Sequence, residues 1–492
     1  MAYTKPEPPI VEVQRVLYVT RSSSPYPGPT WRKAITMARY AVTDPFSGET
    51  HGEFAAITHV QLEDIIARAA GAVPTVASST AANRSGLLAN VADGYLEQRR
   101  ELAELIVREM GKPMTQAIHE VEFTASIFDY YAENAVSLLA DEPIVVHDGP
   151  GEAVVRRAPL GIVLGVMPWN YPYYQAARFA APNILVGNSV LLKPAPQCPE
   201  SALAMQQIMG DAGVPDGVYS TILASEEQVA ALLADPRVHG VSVTGSERAG
   251  MAIAEVAGRN LKKVVLELGG SDPFILLSTD DLDATVHHAA STRLENTGQA
   301  CNAAKRYIVH EDVYDDFAAR IVELFASDQM RPADPRLDDT MIGPVSSAAA
   351  ADQLAGQLSR AVDQGARVLV GGRRDGNLLA PTILTDVTAE NAIYCEELFG
   401  PIAVLHRVAS EDQAVALAND TPYGLGAYVF SADPGQAERV ADRLNTGMVT
   451  INMAHGEAPE LPFGGVKRSG FGRELGRFGV DEFVNKRLIR RA

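Results

Sequence analysis

Residues 161–193 read GIVLGVMPWNYPYYQAARFAAPNILVGNSVLLK, and the fold class turns on this stretch. Ile162–Val166 and Val190–Lys193 are short apolar runs of strand length, and Tyr174–Leu185 between them is long enough for a helix. The same alternation continues to residue 268. Strand-like runs recur at Tyr219–Leu223, Gly240–Val243 and Lys263–Leu268. Helix-like segments separate them at Pro199–Met209, Glu226–Leu233 and Ser246–Ala257. Strands alternating with helices predict a parallel, doubly wound α/β sheet, which takes its ligands at the carboxyl ends of the strands.

A second alternating region runs from about 271 to 452 and includes Val368–Gly371, Ala427–Phe430 and Met448–Ile451. Upstream, the chain turns helical from Gln61. Tyr95 to Met110 sets Leu102, Leu105, Ile106 and Met110 on one stripe, with Gly111 as a stop and Pro113 beyond it. Residues 141–160 predict a hairpin: Ile144–His147, a turn through Asp148-Gly149-Pro150-Gly151, then Ala153–Arg156. The tail, with Val480–Phe483 and Arg487–Ile489, is expected to form a last strand pairing outside its own domain. Residues 1–36 mix Pro, Ser and Arg without periodicity and are expected to be a mobile extension.

Composition narrows the function classes. The 492 residues carry a formal net charge of -19, which opposes non-specific binding to nucleic acid or anionic membranes. The three cysteines, Cys198, Cys301 and Cys395, are widely spaced and include no CxxC pair. That argues against a disulfide framework or structural zinc and for a reducing, cytoplasmic setting. No run approaches the roughly 18 apolar residues of a membrane helix. His287 and His288 are adjacent and would leave a helix in different directions, and HExxH is absent, so no metal site is expected. GxSxG, a P-loop and a kinase set are also absent.

Four local patterns could carry chemistry. Val243-Thr244-Gly245-Ser246 ends a strand and starts a helix, where Gly245 allows close approach and Ser246 can cap; free N–H groups there suit a pyrophosphate, or the junction is a simple cap. Gly470-Phe471-Gly472 comes too late and has the wrong spacing for a GxGxxG turn. Cys301, in Asn296-Thr297-Gly298-Gln299-Ala300-Cys301-Asn302, is either an accessible nucleophile at a tight turn or an inert buried thiol. Glu267, in Leu266-Glu267-Leu268-Gly269-Gly270, closes an apolar strand, so burial would raise its pKa toward general-base use; the alternative is a carboxylate satisfied by the turn. Asn170, between Pro168 and Pro172, is a turn asparagine or a fixed amide donor to an oxyanion.

These elements together resemble the aldehyde dehydrogenase superfamily. The resemblance also rests on Leu192-Lys193-Pro194-Ala195, Glu396-Glu397-Leu398-Phe399-Gly400-Pro401 and Pro462-Phe463-Gly464-Gly465-Val466-Lys467, in the family's order and spacing from about residue 40 to 492. It implies an α/β, aldehyde dehydrogenase-like fold. A Rossmann-type cofactor domain would comprise 37–140 and 161–268, and an α/β catalytic domain 269–470. A β-hairpin/tail oligomerisation arm would comprise 141–160 and 471–492, building a homodimer or homotetramer.

The resemblance further implies roles. Cys301 attacks the aldehyde carbon, Asn170 and the Cys301 N–H hold the oxyanion, and Glu267 activates water to release the acid from the thioester. The cofactor is NAD or NADP. Lys193 and Glu397 would hold its riboses, and Gly245 and Ser246 its pyrophosphate. Trp169, Ala195, Pro196, Leu268 and Phe399 would line its site. Pro196 stands where many NAD-preferring relatives carry an acid, so a 2′-phosphate meets no repulsion there.

Tyr173-Tyr174-Gln175-Ala176-Ala177-Arg178 and Asn302-Ala303-Ala304-Lys305-Arg306 are most similar to the succinate-semialdehyde dehydrogenase branch. That branch implies Tyr174 and Arg178 at the substrate, with Arg178 gripping its carboxylate. Glu295 and Glu457 depart from the branch, because acids in the pocket would favour an amino-aldehyde such as 4-aminobutanal. Succinate semialdehyde ranks first on the expectation that local turns aim Glu295 elsewhere. A CoA-acylating relative would typically lack Glu267, a non-catalytic binding protein would not need the intact constellation, and a cysteine hydrolase would need a His partner that no motif supplies.

Overall fold

A computed structural model describes residues 39–454 and 456–492 of the chain. The expected extension over 1–36 lies outside the described residues.

The region 161–268 forms the predicted parallel sheet, in the spatial order Gly470–Phe471, Lys263–Glu267, Val238–Thr244, Ile162–Val166, Ser189–Lys193, Tyr219–Thr221. All neighbours run parallel except Gly470–Phe471, which pairs antiparallel with Lys263–Glu267. Ile162–Val166 comes first in sequence and lies inside the sheet. The next two strands build outward on one side and the following two on the other. This reversal opens a crevice at the carboxyl ends of the central strands, the usual ligand site of such sheets.

A second sheet of seven strands runs Arg367–Val370, Thr382–Thr385, Ile402–Val408, Ala304–His310, Asp272–Leu276, Tyr428–Phe430, Thr450–Ile451. It is parallel apart from its first strand. A third sheet joins Val484–Arg491, Glu152–Pro159 and Glu142–Ile144 antiparallel.

The helix Pro172–Val186 buries every residue it has. Its polar side chains must therefore be satisfied inside the protein. Asn183 donates to the Phe179 carbonyl at 2.7 Å, and Gln175 donates to Asn170 Oδ1 at 3.2 Å. The helix start is held from outside: Glu120 accepts from the Tyr173 and Tyr174 amides at 3.0 and 3.3 Å and forms a buried ion pair with Lys112. An anion there meets free N–H groups and the positive end of the helix dipole. At the start of the helix Pro199–Asp211 the buried Glu109 accepts from the Glu200 amide at 2.6 Å, without an ion-pair partner among the described residues.

Three local expectations change. The stretch from Tyr95 to Met110 spans two helices, Ala81–Glu97 and Arg99–Met110, broken at Gln98 (φ -101°, ψ 12°). The stripe residues Leu102, Leu105, Ile106 and Met110 all lie in the second helix, so their spacing is untouched by the break. Val480–Phe483 is not strand. The helix Gly476–Glu482 takes its first three residues, and the strand starts at Val484, while Phe483 packs edge-on against Phe179. Val480 and Phe483 are the only apolar residues of this segment and flank Asp481 and Glu482, a window too short for period to separate strand from helix. The hairpin pairs Glu142–Ile144 with Glu152–Pro159 and leaves 145–147 outside the ladder.

Candidate active site

The sequence motifs meet because each follows the carboxyl end of a strand. Trp169 and Asn170 follow Ile162–Val166, Lys193 ends its own strand, Gly245 follows Val238–Thr244, and Glu267 closes Lys263–Glu267. The Cys301 turn leads into Ala304–His310 of the second sheet.

That turn is strained. Asn296 and Thr297 take left-handed backbone (φ 51° and 57°), followed by Gly298 at φ 75°. A Cβ on Gly298 would stand 2.5 Å from the Gly400 carbonyl oxygen, so only glycine fits. Non-glycine residues in this region cost energy and persist where surroundings hold them. Here the hold comes from buried Arg293, whose Nη2 donates to the carbonyls of Gly298 and Leu398 at 3.0 Å each and also to that of Gly400. Gln299 adds to it, its Oε1 accepting from the Ser346 amide at 2.9 Å.

Asn170 is buried against the same turn. Its Nδ2 donates to the Gln299 carbonyl at 2.9 Å, and its own carbonyl accepts from Asn296 Nδ2 at 2.8 Å. Nδ2 carries two N–H groups, and the bond to Gln299 uses one of them.

Cys301 is partly exposed and lines a cavity of about 280 Å³. Burial pushes its thiol up to about 12, against the opposing charges of Arg178 and Lys305. Glu267 is 2% exposed, and neither carboxylate oxygen has a protein partner among the described residues. Desolvation and then the neighbouring Glu474 carboxylate hold its pKa well above the usual range, with Arg178 acting against them. Gly464 makes room for it: a Cβ there would lie 2.6 Å from Glu267 Oε1.

The cavity wall answers the substrate expectations. Arg178 and Tyr174 both line it. Arg178 is no free cation, however, because its Nε donates to Glu474 Oε2 at 2.6 Å and its Nη1 to the Tyr174 hydroxyl at 3.3 Å. Its guanidinium lies 4.2 Å from the centre of the Phe463 ring. Glu295 lines the cavity too, which overturns the expectation that local turns aim it elsewhere. The helix Leu282–Leu294 ends just before it, Glu295 itself is extended (φ -51°, ψ 138°), and Tyr171 donates to its Oε1 at 3.2 Å. Glu457 lines the same wall and accepts from Asn302 Nδ2.

A nicotinamide cofactor fits the crevice beside this cavity. The space in front of Gly245 is open: a Cβ added there would meet no atom within 4 Å. Behind it Ser246 caps the thirteen-residue helix Glu247–Arg259 through the Ala249 amide at 3.3 Å. An anion at that helix end meets free N–H groups. Lys193 is half-buried, 5.6 Å from the centre of the Tyr40 ring, and Pro196 is exposed at the adjoining turn. Ala195 and Leu268, close in sequence to Lys193 and Glu267, are buried. Trp169 and Phe399 meet edge-on at 5.7 Å. Glu397 accepts from the Gly270 amide at 3.0 Å and stands 3.6 Å from Lys305 Nζ.

Two buried charged groups here, Arg293 and Glu474, carry no motif of their own, and a third, Lys305, lies in the segment Asn302–Arg306 with no role read for it from the sequence. Their sequence signal is weak, because a charge beside apolar residues reads like any strand-end or turn polar residue. Among the described residues no group of three His, Cys, Asp or Glu could hold a metal, and no helix is long and apolar enough to cross a membrane.

A switch-point crevice beside a cysteine on a strained, glycine-bearing turn defines an oxidoreductase of the aldehyde dehydrogenase type. The chain belongs to the aldehyde dehydrogenase family, whose model matches residues 31–489. It is 50% identical to a succinate-semialdehyde dehydrogenase [NADP(+)] of Deinococcus radiodurans, over 92% of this chain and 94% of that protein. It is 42% identical to succinate-semialdehyde dehydrogenase [NADP(+)] 1 of Mycobacterium tuberculosis, over 91% and 99%. The fold superposes on the crystal structure of succinic semialdehyde dehydrogenase from Streptococcus pyogenes in complex with NADP+, with a TM-score of 0.89 and 39% identity, covering 92% and 99%.

Proposed function

We propose that this enzyme oxidises succinate semialdehyde to succinate with NADP, through a thioester on Cys301. The observation that carries the reading is that Cys301 and Arg178 line one cavity. A nucleophile and a cation in one small chamber suit a short aldehyde with a carboxylate at its far end.

In this reading the Cys301 thiolate attacks the aldehyde carbon. The second N–H of Asn170 and the Cys301 backbone N–H receive the oxyanion. Bound NADP supplies the acceptor for the hydride that leaves that carbon. Glu267, its pKa raised by burial, then takes a proton from water as the water opens the thioester. Arg178 keeps two of its five N–H donors beyond those given to Glu474, Tyr174 and Thr244, enough to orient a carboxylate. Lys193 and Glu397 would hold the riboses and the Gly245–Ser246 turn the pyrophosphate. Trp169, Ala195, Leu268 and Phe399 would line the same site. NADP is favoured over NAD because Pro196 puts no carboxylate where a 2′-phosphate would lie, and because the relatives named above carry NADP in their names.

A second reading rests on Glu295 and Glu457. Two carboxylates in the wall would attract an ammonium group, as in 4-aminobutanal. Initial rates of NADPH and NADH formation with both aldehydes decide between them. A strong preference for succinate semialdehyde supports Arg178 as its anchor; preference for the amine overturns that and assigns the wall to the two acids.

We further assign 37–140 with 161–268 to cofactor binding and 269–470 to catalysis. The three-stranded sheet, with the tail, would be the arm of a homodimer or homotetramer, and the reduced cysteines suit the cytoplasm.

A further inference from the structure

We propose that Lys305 is a positioning residue for the reaction: its ammonium holds the Cys301 turn so that the Cys301 N–H faces the substrate, and places a positive charge beside the thiol. The inference rests on the reading of Cys301 as nucleophile.

Lys305 is the second residue of the strand Ala304–His310 and is 1% exposed. A buried ammonium is costly unless its three N–H groups find acceptors. All three do, and all on one turn: Nζ donates to the carbonyls of Ala300 at 2.9 Å, Cys301 at 2.7 Å and Ala303 at 3.3 Å. The countercharge is Glu397 at 3.6 Å.

Peptide planarity turns these bonds into a statement about the oxyanion donor. The Ala300 carbonyl and the Cys301 N–H belong to one trans peptide group and point in opposite directions. With the Ala300 oxygen drawn onto Lys305, the Cys301 N–H must face away from it. The bond to the Cys301 carbonyl fixes the following peptide in the same way. One side chain thus sets both peptides flanking the reactive residue, which are otherwise free to rotate in a loop.

The charge acts in parallel. Titratable groups bearing on the thiol include Arg178 and Tyr174 from the buried helix, Lys305 from its strand, and Glu397, Asp272 and Tyr428 from the surrounding segments, while Glu295 and Glu457 line the same cavity. Of these, only Arg178 and Lys305 favour the thiolate, and Arg178 is already paired with Glu474. Lys305 is itself shared with Glu397 and Asp272, whose carboxyl is pushed up to about 7 by burial against the pull of Lys305.

The test compares K305M, K305Q and K305R with the wild-type enzyme, without cofactor, by the pH profile of Cys301 alkylation with iodoacetamide. Steady-state kinetics and thermal unfolding accompany it. K305M is expected to move the profile upward by about one pH unit and to lower kcat about a hundredfold, with KM for the aldehyde within about twofold. K305R, which keeps the charge, should restore the alkylation profile. If K305M does not fold, K305Q serves, since its amide can reach the carbonyls without the charge; its profile should still move upward. A folded K305M or K305Q with the wild-type profile overturns the electrostatic role, and a folded K305M with wild-type kcat overturns the positioning role. Failure of the wild-type enzyme to oxidise any aldehyde would sink the underlying reading instead, and the alkylation profile would still report on Lys305.

Discussion

Arg178 and Glu474, 296 residues apart in sequence, form an ion pair of 2.6 Å in which both side chains are almost fully buried. Glu474 is shared further, accepting from the Ser242 hydroxyl at 2.7 Å. The pair ties the buried helix Pro172–Val186 to the segment that follows Gly470–Phe471 and to the strand Val238–Thr244. It also leaves the cation at the cavity wall pre-oriented, with one edge of the guanidinium committed and the other turned toward Tyr174.

Breaking that pair should have two separable effects. R178L leaves Glu474 buried without its partner, and a cost of about 3–5 kcal/mol in unfolding free energy is expected. R178L/E474L should recover most of that loss, because two apolar side chains leave no stranded charge. Neither variant should retain the preference for an aldehyde bearing a carboxylate. Urea unfolding and the ratio of kcat/KM for succinate semialdehyde and 4-aminobutanal measure the two effects; an unchanged ratio in the double variant would remove Arg178 from specificity.

Glu267 predicts both kinetics and a pH dependence of stability. E267Q should still acylate, giving a burst of about one NADPH per site, while steady-state turnover falls by about 10²–10⁴-fold. Its folded pKa is raised above the ordinary 4.5, so the fold favours the protonated form. That contribution is complete below pH 4.5 and is lost as pH rises through the folded value. E267Q has no such loss. Its melting temperature should therefore gain on wild type as pH rises above 4.5; parallel curves in a thermal-unfolding series would contradict this.

The turn after Lys193 predicts cofactor choice. P196E restores a carboxylate at an exposed position beside the expected adenosine ribose. Like charges so placed cost several kcal/mol at an interface. An at least tenfold rise in Kd for NADPH, with NADH affinity held or improved, is the expected outcome by fluorescence titration. Equal effects on both cofactors would put the 2′-phosphate elsewhere.

The Lys112–Glu120 pair should prove structural. Both side chains are buried, and Lys112 Nζ lies 3.5 Å above the Tyr171 ring. K112M should cost about 3–5 kcal/mol by stranding Glu120. K112M/E120Q should recover part of it, since a glutamine can still accept from the Tyr173 and Tyr174 amides. Comparing unfolding midpoints with kcat measured below the transition tests this; a loss of kcat with no loss of stability would give Lys112 a catalytic role.

The sequence by itself determined the class of the protein. Apolar runs of strand length alternate with helical segments from Ile162 to Leu268, and Asn170, Lys193, Gly245 and Glu267 each fall where a strand ends. Both signals are local: a period of hydrophobicity and a breaker residue act within one element, so they can be read without knowing what packs on it. Where the local signal was short, as at Gln98 and at Val480–Phe483, packing partners chose the conformation instead. What only the tertiary structure decided is the charge balance of the cavity. Arg178 meets Glu474 across 296 residues, Lys305 takes three carbonyls of one turn, and Glu295 turns inward at the end of its helix. A buried charge is tolerable only with its partner, and the partner is supplied by a distant part of the chain that shares no periodicity with it.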